Sequence, residues 1–164
     1  MNDQPPPSIP PTPALIRASL DAAGVRYRHV VHEPTFTSEE SAKARGEPLE
    51  IGAKALLVKT DARFVLLVLS AARKLDSNAA RARLGAKSIR FASREELLEL
   101  TGLVPGSVPP FGRPLLPFDL YVDAGIALLP RVAFNAASLT ESLVLPTADY
   151  LRVATPTQTF AFAQ

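Results

Sequence analysis

Cysteine and tryptophan are absent from this chain of 164 residues, histidine occurs twice and methionine once. Without a thiol there is no disulfide, no thiolate metal site and no cysteine nucleophile. The two histidines, His29 and His32 in "HVVHE", fall on opposite faces of a strand and have no third clustered ligand, so no zinc centre is expected. A Ser-His-Asp hydrolase would need a G-x-S-x-G elbow, and none exists. The P-loop and dinucleotide fingerprints are missing too, because Gly102, Gly106 and Gly112 lack their spacing. Apolar runs such as "FVLLVLSAA" are too short to cross a bilayer, and the N-terminus lacks the layout of a secretory signal. A cytoplasmic protein working without metal or other cofactor is expected.

The length suits one domain with a real hydrophobic core. A net charge of +2 says little, but its distribution says more. Between Arg63 and Arg94 eight basic residues, among them Arg73, Lys74, Arg81 and Arg83, face a single acid, Asp76. Such a block is either a solvated helix face or the footprint of a nucleic-acid site.

Residues 1–11, "MNDQPPPSIPP", are too rich in proline for a regular element and read as a disordered tail, with the domain over 12–164. Thr12 before Pro13 signals a helix start and Gly24 its stop; Thr37 with Glu40, Asp76, and Ser93 with Glu96 mark three further helix starts. Strands are predicted at "VRYRHVV", at "AKALLVK" and "RFVLLVLS" joined by a hairpin, at "KSIRFA", and at "FDLYVD", "IALLP", "RVAFNA" and "ESLVLP". A last short helix is expected at "TADYLRV". The mixture argues for a mixed α/β domain around a curved sheet.

Two features hold candidate chemistry. Lys54 shares a strand face with Leu56 and Val58, so it is either a strand-end residue reaching water or a cation placed for an anion. The stretch "TGLVPGSVPPFG", residues 101–112, packs three glycines and three prolines into twelve positions. It is either a structural crossover or a rigid loop whose backbone approaches a substrate.

In order along the chain, "HEPTFTSEES", "GAKALLVK", "TGLVPGSVPPFG", "DLYVD" and "FNAAS" resemble the YbaK/prolyl-tRNA synthetase-associated domain family, from about His32 to Asp149. The resemblance implies a mixed α/β domain with a barrel-like sheet and a free-standing deacylase that hydrolyses the ester of a wrong, small amino acid (alanine, cysteine or similar) on tRNA, foremost tRNA(Pro). Prolyl-tRNA synthetase is an implied partner. Lys54 takes the place of the family lysine, and Gly106, Pro110 and Gly112 that of its substrate loop, with Ser107 and Phe111 completing the wall. Pro109 departs from the Ser or Thr common there. Asn135 is implied as a ligand of the amino group or adenosine, and His32 as a pocket residue. With tRNA as the substrate, the basic block reads as its RNA surface, with Arg73, Lys74, Arg81 and Arg83 as the candidate contacts. A silent tRNA- or synthetase-binding module and a small-molecule ester hydrolase stand as alternatives.

Overall fold

The computed structural model describes residues 9–164. The elements run α1 (Pro13–Ala22), β1 (Arg28–Val31), α2 (Ser38–Arg45), β2 (Ala53–Thr60), β3 (Arg63–Ser70), α3 (Ser77–Leu84), β4 (Ile89–Phe91) and α4 (Arg94–Thr101). After a long loop come β5 (Leu120–Asp123), β6 (Arg131–Asn135), β7 (Glu141–Pro146), α5 (Thr147–Ala154) and β8 (Gln158–Phe160). No helix among the described residues is long and apolar enough to cross a membrane.

The helix starts follow the local chemistry. Thr12, Thr37, Asp76 and Ser93 each accept a hydrogen bond from a backbone N–H three residues on. Only Ser93 has the full reciprocal box, closed by Glu96 back to the Ser93 N–H. In α2 the return arm of Glu40 lands instead on the Phe36 N–H, at 3.4 Å.

The strands form two sheets rather than one barrel-like sheet. One has the order β4-β2-β3-β5-β8 and the other β1-β7-β6. The first is mixed: β2 is antiparallel to β3 and β4, while β5 runs parallel to β3 and to β8. The second is antiparallel throughout. A single parallel bridge, Gly52 to Ala133, joins them.

The central strand β3 is covered on both faces, which explains its unbroken apolar run. Phe64, Leu66 and Val68 enter the larger core with α1, α4, α5 and the second sheet. Val65, Leu67 and Leu69 enter a smaller one beneath α3 and the C-terminal Phe160 and Phe162.

Two elements differ from the sequence-based expectation. "IALLP" is not a strand: Ala124–Leu128 is a 3-10 turn, with Ile126 buried and Leu128 exposed. Ile126, with Leu129 partly buried beside it, caps the core from a turn that Asp123 starts by accepting the Gly125 N–H. The short edge strand β8 has only Phe160 as a buried residue, too little pattern to read. Of the expected tail, residues 1–8 lie outside the described residues. Pro11 is buried and the Pro10 ring lies over Gly102, so the last part of that stretch packs on the domain.

Candidate active site

β4 pairs only with Val58–Thr60, so the start of β2 has no strand partner on that side. There, beside the Gly52–Ala133 bridge, a cavity of about 190 Å³ opens between β2, β6, α2 and the 106–108 turn. Its mouth and floor differ in character.

Lys54 and Phe36 belong to the mouth. Lys54 Nζ donates to the Arg73 carbonyl at 2.5 Å. Burial lowers its pKa below the usual lysine value; Lys74 nearby lowers it further, and Glu39 opposes the shift. The ammonium therefore sits in a partly desolvated setting, with Glu39 and Lys74 both near it, and remains a cation able to meet an anion. Phe36 is 70% exposed, an aromatic ring at the rim with little protein against it.

The floor is a buried polar network. Asn135 uses its whole amide: Oδ1 accepts from Arg45 Nη2 at 2.9 Å and Ser142 Oγ at 3.1 Å, while Nδ2 donates to the Gly106 carbonyl at 2.8 Å and to Thr35 Oγ1 at 3.5 Å. Arg45 Nε also donates to Ser142 Oγ, at 2.9 Å. Burial pulls the Arg45 pKa down to about 10, with the charge of Glu47 opposing, so the guanidinium stays charged at neutral pH. Thr35 and Ser41 hydroxyls, 2.8 Å apart, complete this end.

The residues singled out in sequence separate into groups. Lys54, Gly106 and Asn135 are brought together at the cavity. Gly106 has φ +89, a conformation that favours glycine, and the Asn135 amide holds its carbonyl. Asn135 lines the cavity but has no free donor or acceptor, so it fixes the loop instead of offering a hand to a ligand. His32 lies behind the floor, within hydrogen-bond distance of Ser142 Oγ (2.8 Å) and the Glu33 carbonyl (2.8 Å).

Ser107 turns inward, its hydroxyl donating to the Val104 carbonyl at 2.8 Å. Pro109, Pro110 and Phe111 are buried; the Pro110 carbonyl accepts from Tyr150 Oη at 2.6 Å, and Phe111 packs edge-on against Phe134 and Tyr150. Gly112 lines a different, apolar cavity by α1, and a Cβ there would lie 2.6 Å from the Phe118 carbonyl.

The residues of the basic block are divided among different partners. Arg63 pairs with Asp119 and Arg90 with Glu96. Arg83 lies 5.4 Å from the Phe160 ring centroid, and Arg81 bonds Asn78 and the Lys87 carbonyl. The Arg73 carbonyl holds Lys54 Nζ and the charge of Lys74 acts on it, while Arg73 itself borders a separate surface pocket with Glu50 and Gln164.

Sequence reasoning missed Arg45 and Phe36. At the end of "SEESAKARG" an arginine reads as an ordinary solvated last-turn cation. The available signal was Ser41 and Arg45 at i, i+4 with Ala42 between, one buried face on a short helix.

The cavity thus has Lys54 near its mouth, a buried polar network at its floor and the Gly106 turn along one side. The family model for the aminoacyl-tRNA editing domain matches residues 32–153, which spans the whole site. The chain belongs to that family. It is 37% identical over 145 residues to the Multifunctional Ser/Thr-tRNA deacylase ProXp-y of Escherichia coli (strain K12), covering 85% of this chain and 86% of that protein. It is 34% identical over 118 residues to part of the Proline--tRNA ligase of Shouchella clausii (strain KSM-K16), 72% of this chain and 20% of the ligase. The fold is shared with a solved structure whose own description proposes a trans-editing enzyme for prolyl tRNA synthetase, at TM-score 0.79 and 24% identity, covering 96% of this chain and 99% of that one.

Proposed function

We propose that the protein hydrolyses the ester linking a small, wrongly attached amino acid to tRNA, with the 190 Å³ cavity as the aminoacyl site. The observation that carries this reading is the placement of Lys54 at the mouth of a cavity whose floor is closed by the Arg45–Asn135–Ser142 network. Lys54 anchors the terminal phosphate or ribose, aided by Arg73 and Lys74, and the exposed Phe36 ring offers a face for the terminal base. The amino acid then points to the floor.

An aminoacyl ester is already activated, so binding, orientation and polarisation supply most of what hydrolysis requires. The neighbouring ribose hydroxyl assists the attack of water. The Ser107 N–H is spent on the Val104 carbonyl, at 3.1 Å. Among the described residues the N–H groups of Gly106 and Val108 have no protein acceptor, and these are the proposed donors to the ester carbonyl.

The small volume excludes bulky side chains, and the polar floor suits alanine-sized and hydroxylated ones. Serine or threonine is supported by the name of the Escherichia coli relative, and tRNA(Pro) as acceptor by the proline ligase relative. Synthetase pockets discriminate a methylene by only about 1–3 kcal/mol, so a second site of different shape has a clear use.

The test is release of amino acid from alanyl, seryl, threonyl, cysteinyl and prolyl esters of tRNA(Pro), tRNA(Thr) and tRNA(Ser). Cleavage of small mischarged esters with cognate prolyl-tRNA(Pro) spared is expected. No release from any of them would overturn the reading.

A further inference from the structure

Arg45 is 8% exposed, and among the described residues no carboxylate stands within ion-pair distance of it. Its nearest acidic neighbour in sequence, Glu47, is instead held by Arg28 and Arg131, each at 2.7 Å. A buried charge normally finds an opposite charge or a full set of acceptors. Arg45 has two acceptors, Ser142 for Nε and Asn135 for Nη2, and none for Nη1. The one fully buried side-chain polar atom without a partner among the described residues is Thr147 Oγ1, so Nη1 is not sealed off, and Arg45 is one of the residues lining the cavity. Nη1 lies beside Gly52, another cavity-lining residue: a Cβ there would lie 3.7 Å from it.

An unspent guanidinium donor at the floor selects what reaches it. It repels the α-ammonium of an aminoacyl group and has nothing to gain from a methyl. A hydroxyl oxygen accepts from it and replaces the water it would otherwise hold.

We propose that Arg45 is a specificity-determining residue whose Nη1 donates to the side-chain hydroxyl of the bound aminoacyl group, making β-hydroxy amino acids the favoured class. The inference rests on the reading of the cavity as the aminoacyl site. Thr35 and Ser41, beside it, supply further polar wall, while Gly52, Ala53 and Ala133 keep the room small.

Serine and 2-aminobutyrate have nearly the same shape and differ by a hydroxyl for a methyl, so they isolate the donor. Both are attached to the same tRNA transcript, in a tRNA(Thr) and a tRNA(Pro) series, and kcat/KM is measured. The wild-type protein is expected to prefer the seryl ester by at least tenfold. Arg45→Met should bring the two to parity, and Arg45→Lys, which keeps a cation, should restore part of the preference. Were Arg45 only a strut for Asn135 and Ser142, both substrates would slow together and the ratio would stand; that result overturns the proposal. Equal cleavage by the wild-type protein overturns it too, whether or not the variants fold. Absence of cleavage of every aminoacyl ester on either tRNA is a different outcome, and removes the deacylase reading with it.

Discussion

The two ends of the Gly/Pro loop have unlike surroundings. Gly106 sits in a left-handed turn against the cavity with its carbonyl held by Asn135, and a Cβ there would meet only Leu139, at 3.5 Å. Gly112 has ordinary backbone angles but no room, with the Phe118 carbonyl 2.6 Å from any Cβ. Between them Pro110 and Phe111 are nailed to Tyr150. Burial raises the Tyr150 pKa, so its hydroxyl remains a donor to the Pro110 carbonyl. One run of breakers thus does two jobs: its first half shapes a site and its second half anchors that shape to the core.

The largest expected effect is at the anchor. Gly112→Val forces a branched side chain into backbone, an overpacking cost of about 3 kcal/mol. For a chain of this size the midpoint of thermal melting should fall by roughly 6–12 °C. A melt within two degrees of wild type would break the comparison.

At the site, Lys54→Ala should cut deacylation by roughly ten- to a hundredfold, the loss of one charge-assisted contact, with the fold intact. Stability should respond in the opposite sense for Lys54→Met. Because the folded pKa is lowered, the unfolded chain binds that proton more tightly, and folding bears a penalty below the folded pKa that fades as pH rises through it. Removing the ammonium at neutral pH should leave the melting temperature unchanged or raise it. A variant that melts clearly lower would show that Lys54 is structural.

Gly106→Ala should disturb the site more than the fold. The strained φ costs about 1 kcal/mol, roughly 2–4 °C, while cleavage falls further because the turn that faces the ester is displaced. Activity retained in full by a folded variant would reduce the first half of the loop to a corner as well.

The smallest effects divide the basic block. Arg73→Glu with Lys74→Glu should weaken tRNA binding and flatten its salt dependence. Arg81→Glu with Arg83→Glu should do less, since Arg83 stacks on Phe160 and Arg81 bonds its own helix and the next loop. Binding titrations at several salt concentrations compare the two, and the reverse ranking would move the RNA surface to α3.

Local chemistry was legible in the sequence. The caps at Thr12, Asp76 and Ser93 and the β2–β3 hairpin follow from spacing and turn residues, and Lys54 stood out against its apolar strand face. What could not be read is long-range. The polar atoms of Asn135 are spent on Arg45, Gly106, Thr35 and Ser142, partners scattered through the chain, so its type suggested a ligand where its position makes a brace. Pro109, Pro110 and Phe111 looked like a substrate wall because rigidity is visible in sequence and the side that it faces is not. "IALLP" misled because a short apolar run reads the same whether it forms a strand or, as here, a turn that buries only Ile126.

The floor of the cavity also has a place in time. Arg45 reaches Ser142 across 97 residues of chain, and β1 finds its partner β7 only after β2 to β6 have been made. Contacts so distant along the chain close slowly and late. During synthesis from the N-terminus, Lys54 and its hairpin can form while the floor is still missing. A growing chain therefore has Lys54 and its hairpin before it has the cavity floor, which is closed only when the last third of the polypeptide arrives.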